Sequence, residues 1–105
     1  MKKSSVLIVD DEESIRVSLE VILKKQYYVN TAETGLKALK MLQNDHYDLT
    51  LSDIKMDDMN GIALLKKVKE KFPKTQVLLM TGYSSLNTAI EALRLGASDY
   101  LIKPC

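Results

Sequence analysis

Apolar residues along this chain follow two alternating rhythms. Val6-Leu7-Ile8-Val9 is a continuous run stopped by Asp10-Asp11-Glu12-Glu13, the pattern of a central strand buried on both faces. Ile15, Leu19, Ile22 and Leu23 then recur at helical spacing as far as Lys24-Lys25. Acids open this helix and bases close it, as the helix dipole favours, with Asp11 or a neighbour placed to cap it. Tyr27-Tyr28-Val29-Asn30-Thr31 reads as a second strand, less apolar and nearer an edge. Thr34-Gly35 opens a second helix with Leu36, Leu39 and Leu42 on one face and Ala38 and Met41 beside them. Leu49-Thr50-Leu51-Ser52-Asp53 alternates as a third strand and delivers one carboxylate to a polar loop. Ile62, Leu65, Val68 and Phe72 mark a third helix, closed by Pro73. Gln76-Val77-Leu78-Leu79-Met80 is a fourth strand running into Thr81-Gly82-Tyr83-Ser84-Ser85. Leu86, Ile90 and Leu93 mark a helix ending at Gly96, and Ser98-Asp99-Tyr100-Leu101-Ile102 is the last strand, before Lys103-Pro104-Cys105.

Strands alternating with helices predict right-handed βαβ units, hence an α/β fold with a parallel sheet between helical layers. At 105 residues the chain has room for one domain, taken as 1–105. The alternation stops after the fifth strand, where a further helix would cover the sheet. The expectation is a domain truncated after strand 5, or a face covered by another chain. Basic and acidic residues number 15 and 14, so bulk charge gives no reason to expect direct nucleic acid binding. The lone cysteine, Cys105, and the want of a secretory or membrane-spanning run give an expectation of a cytoplasmic chain with no membrane partner.

In a parallel sheet every strand's C-terminal end lies on one rim, so Asp10, Asp11, Asp53, Thr81 and Lys103 are expected to converge although distant in sequence. Three close carboxylates repel one another unless a cation sits among them, and an oxygen-rich site of that kind suits Mg2+. With the metal and Lys103 offsetting charge, Asp53 can act as an oxygen nucleophile toward a phosphoryl group. Thr81 would then bond a phosphoryl oxygen, with Gly82 leaving room for it. The plainer reading of Asp53 alone is a turn residue. His46 reads as a surface turn residue, Met41, Met56, Met59 and Met80 as packing, and Lys66, Lys67, Lys69 and Lys71 as a solvated helix face.

Val9-Asp10-Asp11-Glu12, Asp53-Ile54-Lys55-Met56 leading to Gly61, Met80-Thr81-Gly82-Tyr83, Gly96-Ala97-Ser98-Asp99-Tyr100 and Lys103-Pro104 stand in order, each set at a strand end. In these the chain resembles the receiver domain of a two-component response regulator over essentially its whole length. The resemblance implies a flavodoxin-like doubly wound five-stranded sheet of order 2-1-3-4-5 whose last helix is absent from this chain. It also implies that a sensor histidine kinase or phosphotransfer protein phosphorylates Asp53. Asp11, Asp53 and the backbone carbonyl of Lys55 would bind Mg2+, with Asp10 helping through water. Lys103, its bond to Pro104 cis, would pair with the phosphoryl group, while Thr81 moves toward it and Tyr100 rotates behind. The output would be a shift of the face made by the fourth helix and fifth strand, also a surface for a homodimer. Such a domain is not an enzyme beyond its own phosphorylation and dephosphorylation. Lys55 and Tyr83 would influence the phosphate's lifetime.

Two positions depart from the family pattern: Asp57 stands where proline is usual, and Asn60 where aspartate usually precedes the loop glycine. Competing readings are a phosphate-independent receiver-like binding module and a phosphatase of the haloacid dehalogenase type. The phosphatase would want a second acid where Lys55 stands. A nucleotide switch lacks its G-x-x-x-x-G-K-[ST] loop.

Overall fold

The computed structural model describes residues 3–54, 59–81 and 86–102. Within them β1 (Ser5–Val9), α1 (Glu13–Leu23), β2 (Tyr28–Ala32), α2 (Gly35–Asn44), β3 (Leu49–Asp53), α3 (Gly61–Lys71), β4 (Gln76–Thr81), α4 (Leu86–Arg94) and β5 (Asp99–Ile102) alternate along the chain. The strands pair in parallel in the order β2-β1-β3-β4-β5, the doubly wound arrangement expected from the sequence. Among the described residues no helix is long and apolar enough to cross a membrane.

Register distributes the side chains between two faces. Leu7, Thr50 and Val77 form one lateral row and Val9, Ser52 and Leu79 the next. The apolar members of these rows pack with Ala38 and Leu42 of α2 and Leu64, Leu65 and Val68 of α3 in the main core. The opposite rows, Val6 with Leu49 and Ile8 with Leu51 and Leu78, belong to the α1 face. There Val6, Leu19, Leu23, Leu49, Leu51 and Leu78 line a groove of about 450 Å³.

Several helix stripes fall one position away from their expected place. No residue of α1 is fully buried, and Ile22 is 64% exposed. Ile15, Leu19 and Leu23, four apart, form its half-buried stripe, and Ile22 is rotated a full 100° from Leu23. In α2 the buried line is Gly35, Ala38 and Leu42, with Leu36 left 59% exposed. Ile90 and Leu93 of α4 are likewise exposed. Tyr47, just before β3, is core: it is 2% exposed and its hydroxyl accepts from Asn30 Nδ2 at 2.9 Å. Thr34 caps α2, accepting from the Lys37 amide at 3.1 Å. Gly96, at φ 109°, turns the chain out of α4.

The N-terminal rim is tied by side chains. Asp48 Oδ2 accepts from the Ser5 amide at 2.8 Å and the Ser5 hydroxyl at 3.2 Å, and Oδ1 lies 3.1 Å from His46 Nε2. The Ser5 amide bond, followed by the His46 contact, holds the Asp48 carboxyl below its usual value. A lowered folded-state pKa stabilises the protein above the unfolded value near pH 4, and that stabilisation is lost on acidification through the folded pKa. The urea-midpoint gap between wild type and Asp48→Asn should therefore be full at pH 7 and close below about pH 4.

Thr50 is wholly buried, and its Oγ1 has no hydrogen-bond partner among the described residues. It is flanked in its row by Leu7 and Val77, both fully buried. Removing an unsatisfied buried hydroxyl at nearly constant volume should stabilise, so Thr50→Val is expected to gain about 1 kcal/mol, read as a higher urea midpoint at unchanged m.

Candidate functional site

β1 and β3 are neighbours with Val9 opposite Ser52, so the next residues, Asp10 and Asp53, leave the sheet side by side. Asp10 is wholly buried and Asp53 is 6% exposed. The Asp10 amide donates to the Ala32 carbonyl at 3.2 Å, carrying β-like bonding one residue past β1. Its Oδ1 accepts from the Glu12 amide at 2.9 Å, a local turn that swings the chain off the sheet toward α1. Asp11 is not the cap of α1: the N-cap is Glu12, extended at φ −94° and ψ 118°, with no side-chain capping bond. Asp11 and Glu12 are exposed, and one carboxylate oxygen from each of Asp10, Asp11 and Glu12 lies within 4.8 Å of the others. The Arg16 guanidinium reaches back and donates to the Asp10 carbonyl at 2.7 Å.

On β3 the Ser52 hydroxyl donates to the Asp53 carbonyl at 2.9 Å. The Ile54 amide donates to the Met80 carbonyl at 3.1 Å, and the Gly61 amide to the Ile54 carbonyl at 2.6 Å, closing the neck of the loop that follows Asp53. A β carbon on Gly61 would meet the Asp53 carbonyl oxygen at 2.5 Å and Ile54 Cα at 2.8 Å, so glycine alone lets the returning chain approach this closely. Asn60 Oδ1 then accepts from the Ala63 amide at 2.8 Å and caps α3.

Asp53 pairs with Met80, so Thr81 ends the adjacent strand one residue further on, opposite Ile102 of β5. The backbones of Asp10, Asp53 and Thr81 thus stand along one rim. Lys103 follows Ile102 in sequence but lies outside the described residues, as do Lys55, Asp57, Tyr83 and the Lys103-Pro104 bond. The side chains of Thr81 and Tyr100 also lie outside the described set, Tyr100 being placed by its backbone opposite Leu79.

Among the described residues the grouped donors on this rim are carboxylate oxygens of Asp10, Asp11 and Glu12, one member buried and two open to solvent. Such hard, partly hydrated donors fit Mg2+, which keeps several waters and takes one or two carboxylates. Arg16 was missed in the sequence because its role is a bond to backbone across six residues. Its only sequence trace is a base in an otherwise acidic opening to the helix.

The profile of the response regulator receiver domain matches residues 6–105. This chain belongs to the response regulator receiver domain family. The receiver domain is 46% identical over 100 residues to the transcriptional regulatory protein ZraR of Escherichia coli (strain K12), covering 94% of this chain and 23% of ZraR. It spans about a quarter of the length of the curated relatives it matches. Among solved structures, Vibrio cholerae chemotaxis protein CheY4 superposes with TM-score 0.90 at 33% identity, over 99% of this chain and 89% of that one. The Thermotoga maritima response regulator TrrA, solved in complex with Mg2+ and BeF, superposes with TM-score 0.85 at 31% identity, over 96% and 87% of the two chains.

In this receiver domain the closeness of Gly61 to the Asp53 carbonyl leaves no space for a methyl group. Gly61→Ala must move backbone on both sides and is expected to cost about 2–3 kcal/mol of stability, measured by urea unfolding.

Proposed function

We propose that this receiver domain, residues 1–105, is a phosphoacceptor switch of a two-component system in which Asp53 takes a phosphoryl group from a phosphohistidine on a sensor histidine kinase or phosphotransfer protein. The observation that carries this reading is the register that sets a nearly buried Asp53 next to a wholly buried Asp10, whose carboxylate groups with those of Asp11 and Glu12. A carboxylate oxygen of Asp53 attacks phosphorus, an O–P bond forms and the P–N bond breaks, and the electron pair returns to the imidazole nitrogen. Asp10, Asp11, Asp53 and the Lys55 carbonyl are the groups that would hold Mg2+, which when bound offsets charge between the carboxylates and the phosphoryl oxygens. The Lys103 ammonium pairs with the same oxygens. Thr81 donates a hydroxyl to one of them, and Tyr100 follows the movement of Thr81.

The domain acts on no other substrate, catalysing only its own phosphorylation and dephosphorylation, and works in the cytoplasm. Its readout is the α4 and β5 face, through which a homodimer forms. Ile90 and Leu93 of α4, exposed at 43% and 37%, support an apolar contact there. Near-balanced charge supports partners that are proteins rather than nucleic acid.

Incubation with Mg2+ and acetyl phosphate should add one phosphoryl group by mass spectrometry, and Asp53→Asn should abolish the addition. A wild-type protein left unmodified by acetyl phosphate, and unresponsive to beryllofluoride, would overturn the proposal.

A further inference from the structure

Two valines of α1 have no part in the core. Ile15, Leu19 and Leu23 form the half-buried stripe of the helix, whereas Val17 and Val21 are exposed. Each valine stands two residues from Leu19, and at about 100° per residue that sets both almost diametrically opposite the stripe. Valine is a poorer helix former than alanine, lysine or glutamate, so an outward face gains nothing from it in an isolated domain. Charge follows the same centre. Glu13 stands six residues before Leu19 and Lys25 six after, with Lys24 beside it in helical geometry at the C-cap. Among the described residues Glu13, Lys24 and Lys25, all exposed, enter no ion pair. The helix dipole accounts for acid at one end and base at the other, but not for the apolar pair between them.

A surface with this order is complementary to itself. Turning a second α1 end for end, about an axis level with Leu19, sets Val17 against Val21 twice over and each Glu13 against Lys24 and Lys25 of the other copy. We propose that the outer face of α1 is a docking surface for a second copy of this chain, separate from the α4 and β5 face. A parallel pair would set Glu13 on Glu13 and Lys25 on Lys25, so only the antiparallel arrangement gains from charge. One helix from each copy buries less than the roughly 1,200 Å² of a standard interface, which makes the pair weak, with a Kd on the order of 100 μM.

The experiment is sedimentation equilibrium of the chain without Mg2+ or a phosphoryl donor, at concentrations up to about ten times that Kd. Glu13→Lys, and Lys24→Glu together with Lys25→Glu, are each expected to weaken self-association about tenfold, and all three changes combined to restore it to within about threefold of wild type. Val17→Ser should weaken it about tenfold while leaving the urea midpoint of the dilute protein unchanged, which loss of packing inside one copy would not do. Should a charge variant fail to fold, Val17→Ser makes the comparison alone. A wild-type chain that stays monomeric throughout would overturn the proposal, as would a combined variant no stronger than its parents. A dimer indifferent to these changes but broken by Ile90→Asp on α4 would overturn it too. Because phosphorylation takes no part in the measurement, each of these failures leaves the phosphoacceptor reading standing.

Discussion

Keeping two carboxylates almost out of solvent, at adjacent strand ends, is the constraint that the rest of this receiver domain accommodates. A buried charge costs several kcal/mol unless its surroundings answer it, and two like charges raise that cost. Among the described residues, hydrogen bonds fix the backbone beside both carboxylates. The carbonyl of Asp10 is held by Arg16 and that of Asp53 by Ser52, while the Asp10 carboxylate is aimed by the Glu12 amide. Arg16 brings a positive charge close to the acidic set while bonding a carbonyl rather than a carboxylate. A parallel sheet makes the arrangement feasible, because all its strands deliver their C-terminal ends to one rim.

The two rims of the sheet divide the work of holding register. At the N-terminal rim, Asp48 joins the start of β3 to the start of β1 through the Ser5 amide and hydroxyl. At the C-terminal rim, the Ile54 amide ties β3 to β4 through the Met80 carbonyl. A slip of one residue between β1 and β3 would exchange the two faces of β3. Leu49 and Leu51 would turn into the α2 and α3 core, Thr50 and Ser52 would turn out of it, and Asp53 would leave the side that Asp10 occupies. Register in β3 is therefore a condition of the site as much as of the core.

Much of this was legible in the sequence for a simple reason. Val6–Val9 reads as an unbroken apolar run and Leu49–Ser52 as an apolar–polar alternation, and the first charged residue after each marks a strand end, so Asp10 and Asp53 declare themselves. The helices were legible in number and order but not in facing. A stripe such as Leu36, Leu39 and Leu42 drifts around a 3.6-residue helix, and the small residues Gly35 and Ala38 share the buried line with Leu42. What depends on contact between distant segments left no local trace. Neither the reach of Arg16 nor the closeness of Gly61 to Asp53 alters hydrophobic periodicity. Tyr47 stands between polar, exposed neighbours, His46 and Asp48, so no apolar pattern around it marks it as core.

The departure from the family pattern at Asn60 has a structural account. An aspartate at this position would cap α3 as a charged acceptor, and Asn60 does the same as a neutral one, taking the Ala63 amide at 2.8 Å. Asparagine and aspartate are near equals as N-caps, the difference being the helix-dipole benefit of about 0.3–1 kcal/mol for a charge in that place. The turn into α3 is closed by Gly61 against Ile54, which the change does not touch. The substitution thus removes one negative charge beside the acidic rim while keeping the cap of α3 and the Gly61 to Ile54 bond.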